Sequence, residues 1–303
     1  MQRRPIIAGV DGTPESLAAA EWAGREAVRL GAPLHLLYAR SLVPYMPGAD
    51  HPEAAERQLI RRLLRKAERR VQQTASEVEL NDRIVDGPPV SALVDAAEQA
   101  ELVVLGSRGL SGFTGFLLGS VALGVVAHAT RPVVLVRAQP TEPQDSPDPE
   151  ADGSPHDRQP TSDVLLGLDI SAPCDPVIDF AFEAARLRST RLRVVHAWGD
   201  TSVRTLDPTG TSLIQAPETE EQWTQFVAAV LRPWREKFPE VPVTQSVAKG
   251  KPAARLLQAV NGAALLVVGR RIRERHYPAA QTGSVTHAVI HHARCPVVVV
   301  PHT

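Results

Sequence analysis

The feature that most limits how this chain can fold is an internal repeat of domain size. The 303 residues contain the same order of short apolar segments twice, once in each half. The clearest pair is IIAGVDG at 6–12 and VLLGLDI at 164–170, which aligns Asp11 with Asp169. Two copies of about 150 residues each match the usual size of a protein domain. The sequence therefore predicts two similar domains in tandem rather than one large core.

Each copy contains five short segments rich in Val, Ile and Leu. They are nearly continuous in apolar character, which is typical of strands buried on both faces of a parallel sheet. The intervening segments carry apolar residues at intervals of three and four, as amphipathic helices do. Besides the first pair, the matched segments are 34–40 with 192–198, 83–89 with 245–252, 101–107 with 264–270, and 131–137 with 295–301. This order predicts an α/β fold of two tandem open doubly wound five-stranded parallel-sheet domains.

A polar segment separates the two copies. Residues 139–161 are rich in Pro, Asp and Ser and show no apolar period, which is typical of a linker. We therefore predict a first domain over 1–138, a linker over 139–161 and a second domain over 162–303.

Charge and composition argue against several classes of partner. The net charge of −1 disfavours a general polyanion binder, because binding to a phosphate backbone needs a surplus of Lys and Arg on one face. The Arg-rich stretch at 61–69 lies opposite an apolar stripe and is interpreted as a solvated helix surface. That stripe consists of Leu59, Ile60, Leu63, Leu64, Ala67 and Val71. We expect no nucleic-acid partner.

The expected location is the cytoplasm. The chain has two cysteines, Cys174 and Cys295, too few for a disulfide framework. No apolar run approaches the roughly 20 residues that cross a bilayer, and residues 1–12 lack the apolar core of a signal peptide. We expect no membrane partner.

The segment that carries the chemistry is the glycine-rich loop from Gly106 to Ser120, GSRGLSGFTGFLLGS. Gly106 and Gly109 permit a tight turn and let a ligand approach the backbone without a Cβ in the way. Gly119 and Ser120 begin a helical pattern, whose free amides and positive dipole end favour a phosphate. Asp11 follows the first strand, where a purine needs a polar partner. Together these features predict a nucleotide site at the carboxyl ends of the strands.

Two other kinds of nucleotide-binding loop do not match this sequence. A Walker A loop needs Gly-Lys-Ser or Gly-Lys-Thr, and the loop has no Lys. A dinucleotide fingerprint would follow the first strand, where the sequence reads GVDGTPES instead. A ligand-free connection stays an alternative, because Gly and Ser are common in turns.

His287 and His291 lie four apart, but no carboxylate or Cys completes a metal site by spacing. No catalytic arrangement is visible, so we predict neither catalytic nor metal-binding residues.

These residues resemble the universal stress protein family in its tandem two-domain form, over nearly the whole chain outside the linker. The ATP-binding signature of that family is G-x2-G-x9-G followed by Ser or Thr, which Gly106, Gly109, Gly119 and Ser120 match without a gap. The resemblance implies a fold like that of the adenine nucleotide alpha hydrolases and ATP, with or without Mg, as the ligand. It also implies that the fifth strands of the two copies pair across an internal pseudo-two-fold; a further homodimer stays open.

The resemblance also implies which residues contact the nucleotide. In the first copy they are Gly9, Val10, Asp11 and Ala39 for the adenine and ribose, and Gly106, Arg108, Gly109, Gly119, Ser120, Val121 and Ala122 for the ribose and phosphates. The equivalent set in the second copy is Asp169, Ala197, Gly269, Arg271, Gly283, Ser284, Val285 and Thr286.

The second copy departs from the signature. Ile272 stands where the second glycine is expected, and the stretch to Gly283 is one residue longer. A β-branched residue resists the backbone conformations that glycine permits. Cationic side chains in the same loop offer another way to hold phosphates; they are Arg270, Arg271, Arg273, Arg275 and His276. Whether the second copy binds nucleotide stays open.

Three functions follow from this sequence. The favoured one is an ATP-binding universal stress protein that acts as a nucleotide-dependent stress-response regulator rather than a fast catalyst. The second is a slow ATPase or nucleotidyl transferase, which would need an oriented water and a metal held by carboxylates, for which Asp11 alone is thin support. The third is a scaffold that acts through partner binding without nucleotide.

Overall fold

The computed structural model describes residues 3–41, 53–107, 119–138, 162–170, 174–199, 219–272 and 282–303. Within these ranges strands and helices alternate in both halves. The first half contains β1 (Ile6–Gly9), α1 (Pro14–Leu30), β2 (Leu34–Arg40), α2 (Glu53–Thr74), β3 (Leu80–Asp86), α3 (Pro89–Ala97), β4 (Leu102–Ser107), α4 (Ser120–His128) and β5 (Val133–Arg137). The second half contains β6 (Val164–Gly167), α5 (Asp175–Leu187), β7 (Leu192–Trp198), α6 (Glu220–Lys237), β8 (Val243–Lys249), α7 (Pro252–Ala259), β9 (Leu265–Arg271), α8 (Ser284–His292) and β10 (Val297–His302).

The strands of both halves form one sheet in the order β3-β2-β1-β4-β5-β10-β9-β6-β7-β8. All pairs within a half are parallel, and Ile6 of β1 lies between Leu34 of β2 and Leu102 of β4. The fifth strands pair antiparallel, with Val134 opposite Val298. The predicted α/β fold is therefore confirmed, with five parallel strands in each half. The expected meeting of the fifth strands is also present, and it joins the two sheets into one.

Helices cover both faces of this sheet, as the apolar character of the strands predicts. Helices α1, α2, α5 and α6 pack on one face, and α3, α4, α7 and α8 pack on the other. Alternate strand residues feed the two apolar clusters, so that Ile6 and Ala8 face one and Ile7 faces the other. The result is a three-layer sandwich whose two cores are each shared by both halves.

The apolar stripe predicted for α2 is narrower than expected. Its central residues, Ile60, Leu64, Ala67 and Val71, are buried, whereas Leu59 is 56% exposed. One residue of an α-helix turns the side chain by about 100°, so Leu59 lies on the flank of a stripe that is centred on Ile60.

A buried ion pair links the halves on the face that carries α1 and α5. The Glu26 carboxylate of α1 is 3% exposed and accepts from Arg188 Nη2 at 2.6 Å and from Arg29 Nη1 at 3.1 Å. The Arg188 guanidinium lies 5.9 Å from the centre of the Trp22 ring. Burial lowers the pKa of Arg188, and the charge of Glu26 acts in the opposite direction. Since both charged groups have left water, each depends on the other.

Two further arginines cross between the halves on the opposite face. Arg137 Nη2 donates to the Ile290 carbonyl of α8 at 3.2 Å, and Arg270 donates to the Ala129 carbonyl that follows α4. Both guanidinium groups are largely buried, and burial lowers the pKa of Arg137 to about 10. Each half thus places a cation at the C-terminal end of a helix of the other half, where the helix dipole favours positive charge.

Removing one member of the buried pair should cost stability. We expect Arg188→Met to lower the free energy of unfolding by about 3 kcal/mol, because Glu26 stays buried and keeps only the more exposed Arg29 as a partner. Urea unfolding followed by circular dichroism measures the change. The double variant with Glu26→Gln should lose less than the sum of the two single variants, and simple additivity would show that the pair is not coupled. As a control, Arg186→Met in the exposed pair with Glu183 should change little.

Candidate functional site

The candidate site lies at the carboxyl ends of β1 and β4, where the direction of winding reverses. From β1 the chain proceeds to β2 on one side, and from β4 it proceeds to β5 on the other. In open α/β sheets, ligands bind in the crevice at this switch point. The structure places Gly9 at the end of β1, followed by Val10 and Asp11, beside β4, which ends with Gly106 and Ser107; α4 is the next described element along the chain.

Asp11 is held at the start of α1 by its own neighbours. Its Oδ1 accepts from Thr13 N at 3.0 Å and from Thr13 Oγ1 at 2.6 Å. Thr13 is the N-cap of α1 and accepts from Ser16 N at 3.2 Å, while the Ser16 hydroxyl lies 3.3 Å from Asp11 N. Gly12 between them has φ of +85°, a conformation that suits glycine. The exposed carboxylate is thereby fixed at the crevice.

Thr13 and Ser16 were missed in the sequence analysis, although a signal for them was present. The order Thr-Pro-Glu-Ser places a capping residue before a proline at the first helical position. That pattern predicts the start of α1 and a hydroxyl next to Asp11.

Gly106 and Gly119 of the signature differ in the space around them. A Cβ on Gly106 would lie 2.5 Å from the carbonyl carbon of Glu15 and 2.6 Å from Ser16 N, so this glycine lets the first turn of α1 pack against β4. No described residue lies within 4 Å of the position that a Cβ on Gly119 would take. Of the two signature glycines that the structure describes, Gly119 is therefore the one whose missing side chain leaves space next to a helix start.

The start of α4 has the properties of an anion site. Gly119 is its N-cap, with φ −61° and ψ 149°, and no side chain of the described residues caps the helix. The first turn-closing bond runs from Leu123 N to the Gly119 carbonyl, so the amides of Ser120, Val121 and Ala122 precede it. Ser120 is exposed, Val121 is half-buried and Ala122 is buried.

The other residues expected in the first half occupy several environments. Val10 is 4% exposed, and its amide donates to the Leu37 carbonyl at 2.9 Å. Ala39 is half-buried at the end of β2. Arg108 and Gly109 lie outside the described residues, so their expected contacts stay predictions.

The second half repeats the arrangement with changes. Asp169 and Ser284 are exposed, and Ala197 and Val285 are half-buried. Gly283 is the N-cap of α8, and within the described ranges no side chain caps it and no atom lies within 4 Å of a Cβ placed on it. Thr286 replaces the alanine of the first half. Its buried hydroxyl donates to the Gly269 carbonyl at 2.9 Å, which ties the first turn of α8 to the end of β9.

Three details at the end of β9 differ from the first half. A Cβ on Gly269 would lie 2.9 Å from His302 Nε2, so a side chain of β10 occupies that direction. Arg270 was expected to offer charge to phosphates, but its buried guanidinium bonds to Ala129 instead. Arg271 and Ile272 are exposed, and Ile272 is not among the described residues with positive φ. Arg273, Arg275 and His276 lie outside the described residues.

The two halves also differ in the side-chain contact at the carboxyl ends of their second and third strands. In the first half, Arg40 Nε and Nη2 donate to the two oxygens of Asp86 at 2.6 and 2.9 Å, which lowers the pKa of Asp86. In the second half, the equivalent pair is Trp198 and Lys249, whose ammonium lies 5.6 Å from the ring centre. An ion pair and a cation–π contact thus occupy the same strand ends.

Within the described ranges, no group of three or more His, Cys, Asp and Glu side chains is arranged to hold a metal ion. The rings of His287 and His291 lie 4.4 Å apart. No helix in this part of the chain is long and apolar enough to span a bilayer.

The two glycines of the first half should respond differently to alanine. Gly106→Ala should lower the free energy of unfolding by about 2–3 kcal/mol, because the new Cβ meets backbone atoms of α1. Gly119→Ala should cost less than about 1 kcal/mol, since only the N-cap preference changes. Urea denaturation of both variants beside the parent measures the difference; equal losses would show that α1 does not depend on the absence of a Cβ at Gly106.

Comparison with known proteins agrees with this architecture. The model of the universal stress protein family matches residues 2–137 and 161–301. A universal stress protein of Mycobacterium tuberculosis strain H37Rv is 33% identical over 306 residues, which cover 97% of this chain and 95% of the relative. Another, from Mycobacterium bovis, is 32% identical over 302 residues and covers 97% and 96%. The crystal structure of a universal stress protein from Archaeoglobus fulgidus covers 100% of both chains with a TM-score of 0.70 and 18% identity, and so shares the fold. The chain therefore belongs to the universal stress protein family, in the form with two tandem domains.

Proposed function

We propose that the first half binds ATP in the crevice between β1 and β4, and that the protein acts as a nucleotide-dependent stress-response regulator rather than a fast catalyst. The observation that carries this proposal is the start of α4. Among the described residues, no side chain caps that helix and none lies within 4 Å of a Cβ placed on Gly119. Uncapped amides at a positive helix end favour phosphate oxygens.

The position of Asp11 supports an orientation for the nucleotide. A carboxylate repels phosphates, and it accepts hydrogen bonds from an exocyclic amine or a ribose hydroxyl. Asp11 follows β1, whereas the amides of Ser120 and Val121 follow β4. We therefore place the base and ribose towards Asp11 and Ala39, and the phosphates over the first turn of α4. Arg108 and Gly109 belong to the same proposed site through the sequence signature.

Helix α1 supports a regulatory role. Its first turn begins at the crevice with Asp11 and Thr13, and its opposite half carries Glu26, which pairs with Arg188 of the other half. A ligand acts as a regulator when it binds one arrangement of the protein better than another. A nucleotide at the start of α1 contacts the same rigid element that holds the two halves together, which gives it a means to favour one arrangement.

For the second half, we propose weaker binding at the equivalent place. As in α4, no side chain of the described part of the chain caps the start of α8, and Asp169 and Ala197 occupy the strand ends. However, Arg270 donates a hydrogen bond to the Ala129 carbonyl, and the Thr286 hydroxyl donates one to the Gly269 carbonyl. Any phosphates there would rely on Arg271, Ser284 and the remaining amides of the first turn.

Nucleotide binding is tested by adding a side chain at the helix start. We expect Gly119→Val to weaken ATP binding at least tenfold, because the new methyl groups take the space in front of the α4 amides. Isothermal titration calorimetry with ATP, ADP and AMP measures affinity and stoichiometry. The matched control, Gly283→Val, changes the equivalent glycine of the second half and should leave the tighter site intact. Parent protein that shows neither calorimetric binding nor a thermal shift with ATP would overturn the proposal.

Turnover is tested separately. We expect phosphate release from ATP at the background level over hours, in the presence of Mg, because the proposed role needs binding rather than hydrolysis. A phosphate-release assay on the parent and on Asp11→Asn measures this. Steady release that Gly119→Val abolishes would favour the slow ATPase, and unaltered activity in a stress assay for a variant unable to bind ATP would favour the scaffold.

A further inference from the structure

We propose that the second half contains another ligand site, a groove between α7 and the strands β7 and β8 that binds a small organic anion with an apolar body. The groove has a volume of about 410 Å³, which lies within the range of about 300–1,000 Å³ that is usual for small-molecule sites. It lies on the face of the sheet that α7 covers, whereas the nucleotide crevice lies at the carboxyl ends of the strands. Its lining includes Leu165, Arg193, Val195, Ser246, Ala248 and Arg255.

The groove exists because the second half has smaller side chains than the first at matched positions. Val195 pairs with Ser246 in the register of β7 and β8, as Leu37 pairs with Arg83 in β2 and β3. Two residues further along, Ala248 stands where the first half has Val85. Three replacements by smaller residues along one face of two adjacent strands leave space that α7, with eight residues, does not fill.

Arg255 supplies positive charge at one end of this groove. Its Nε and Nη2 donate to the Lys249 carbonyl at 3.0 and 2.6 Å, and its Nη1 lies 3.2 Å from Gln258 Oε1. These bonds fix the guanidinium against the end of β8 without neutralising it. Within the described part of the chain, no carboxylate forms an ion pair with Arg255.

Arg193 supplies a second guanidinium at the opposite end. Its Nη2 donates to the Ala259 carbonyl, and its buried Nε has no hydrogen-bond partner and lies 3.7 Å from Asp163 Oδ2. Asp163 also forms an ion pair with Arg191 at 3.1 Å. One negative carboxylate therefore lies between two positive guanidinium groups. The excess positive charge at this end favours an additional acceptor.

The space between the two arginines suits an amphipathic molecule. Leu165, Val195 and Ala248 form an apolar floor, and the hydroxyls of Thr244 and Ser246 lie along β8. From Thr244 to Ala248 an extended chain spans about 13 Å at 3.3 Å per residue. A carboxylate or sulfonate at an arginine, with rings or methylenes on the floor, matches both the charge and the surface of the groove. A cation or a fully polar ion does not.

A pair of fluorescent probes that differ in one charge tests this inference on the full chain. The probes are 8-anilinonaphthalene-1-sulfonate and N-phenyl-1-naphthylamine, which has the same rings without the sulfonate. We expect the parent to bind the sulfonate at least tenfold more tightly than the neutral probe, with one site per chain. Decanoate should displace the bound sulfonate, because it offers a carboxylate on an apolar chain.

Two variants separate the contributions of charge and space. Arg255→Gln should remove most of the preference for the sulfonate, whereas Arg232→Gln on an exposed position of α6 should not. Ala248→Leu should abolish the binding of both probes by filling the groove, while the matched change Val85→Leu in the first half should have no effect. Ser246→Leu repeats the filling test at an exposed position should Ala248→Leu fail to fold.

Equal affinity for the two probes, or sulfonate binding that survives filling of the groove, would overturn the proposal. Binding that is lost on addition of ATP would place the probe in the nucleotide crevice and would also overturn it.

Discussion

The antiparallel pairing of β5 with β10 is the contact on which the rest of the structure depends. It turns two five-stranded sheets into one and places α1 beside α5 on one face, and α4 and α8 on the other. A strand edge carries unpaired amides and carbonyls, and here the edge of each half satisfies the other. The residues at this seam are valines and leucines that are almost fully buried. Hydrogen bonds and apolar burial therefore act together where the halves meet, and the buried charged contacts from Arg188, Arg137 and Arg270 surround that seam.

The two halves share a backbone plan but have diverged in chemistry at equivalent places. Arg40 and Asp86 form an ion pair where Trp198 and Lys249 form a cation–π contact. Ser107 keeps its hydroxyl bond to Val136 within the first half, whereas Arg270 at the same position reaches across to the other half. In the first half, Asp11 stays exposed at the crevice. In the second half, Arg270 donates to Ala129 of the first half and the Thr286 hydroxyl donates to Gly269. The same divergence opened the groove beside α7.

Much of the fold could be predicted from the sequence, because strands buried on both faces produce apolar segments that repeat in order. Asp11, Gly106 and the start of α4 were likewise predicted to lie together, since the carboxyl ends of adjacent parallel strands share one edge. The reason for Gly106 could not be predicted: its close neighbours, Glu15 and Ser16, are about ninety positions away in sequence. For the same reason, no local pattern indicates that Arg270 donates to the Ala129 carbonyl and not to a phosphate. Contacts between distant segments depend on packing that no local pattern encodes.

The continuous sheet has a consequence for how the protein behaves when it is diluted. A complex of two separate domains falls apart below its dissociation constant, but here both partners of the central strand pair belong to one polypeptide. Because the two halves are joined covalently, the effective concentration of one for the other is set by the chain between them and not by dilution. The paired arrangement is therefore independent of how much of the protein a cell contains, and its composition is always one copy of each half. Each first half therefore pairs with a second half of the same chain. The two halves can carry different binding residues without forming pairs of two identical halves.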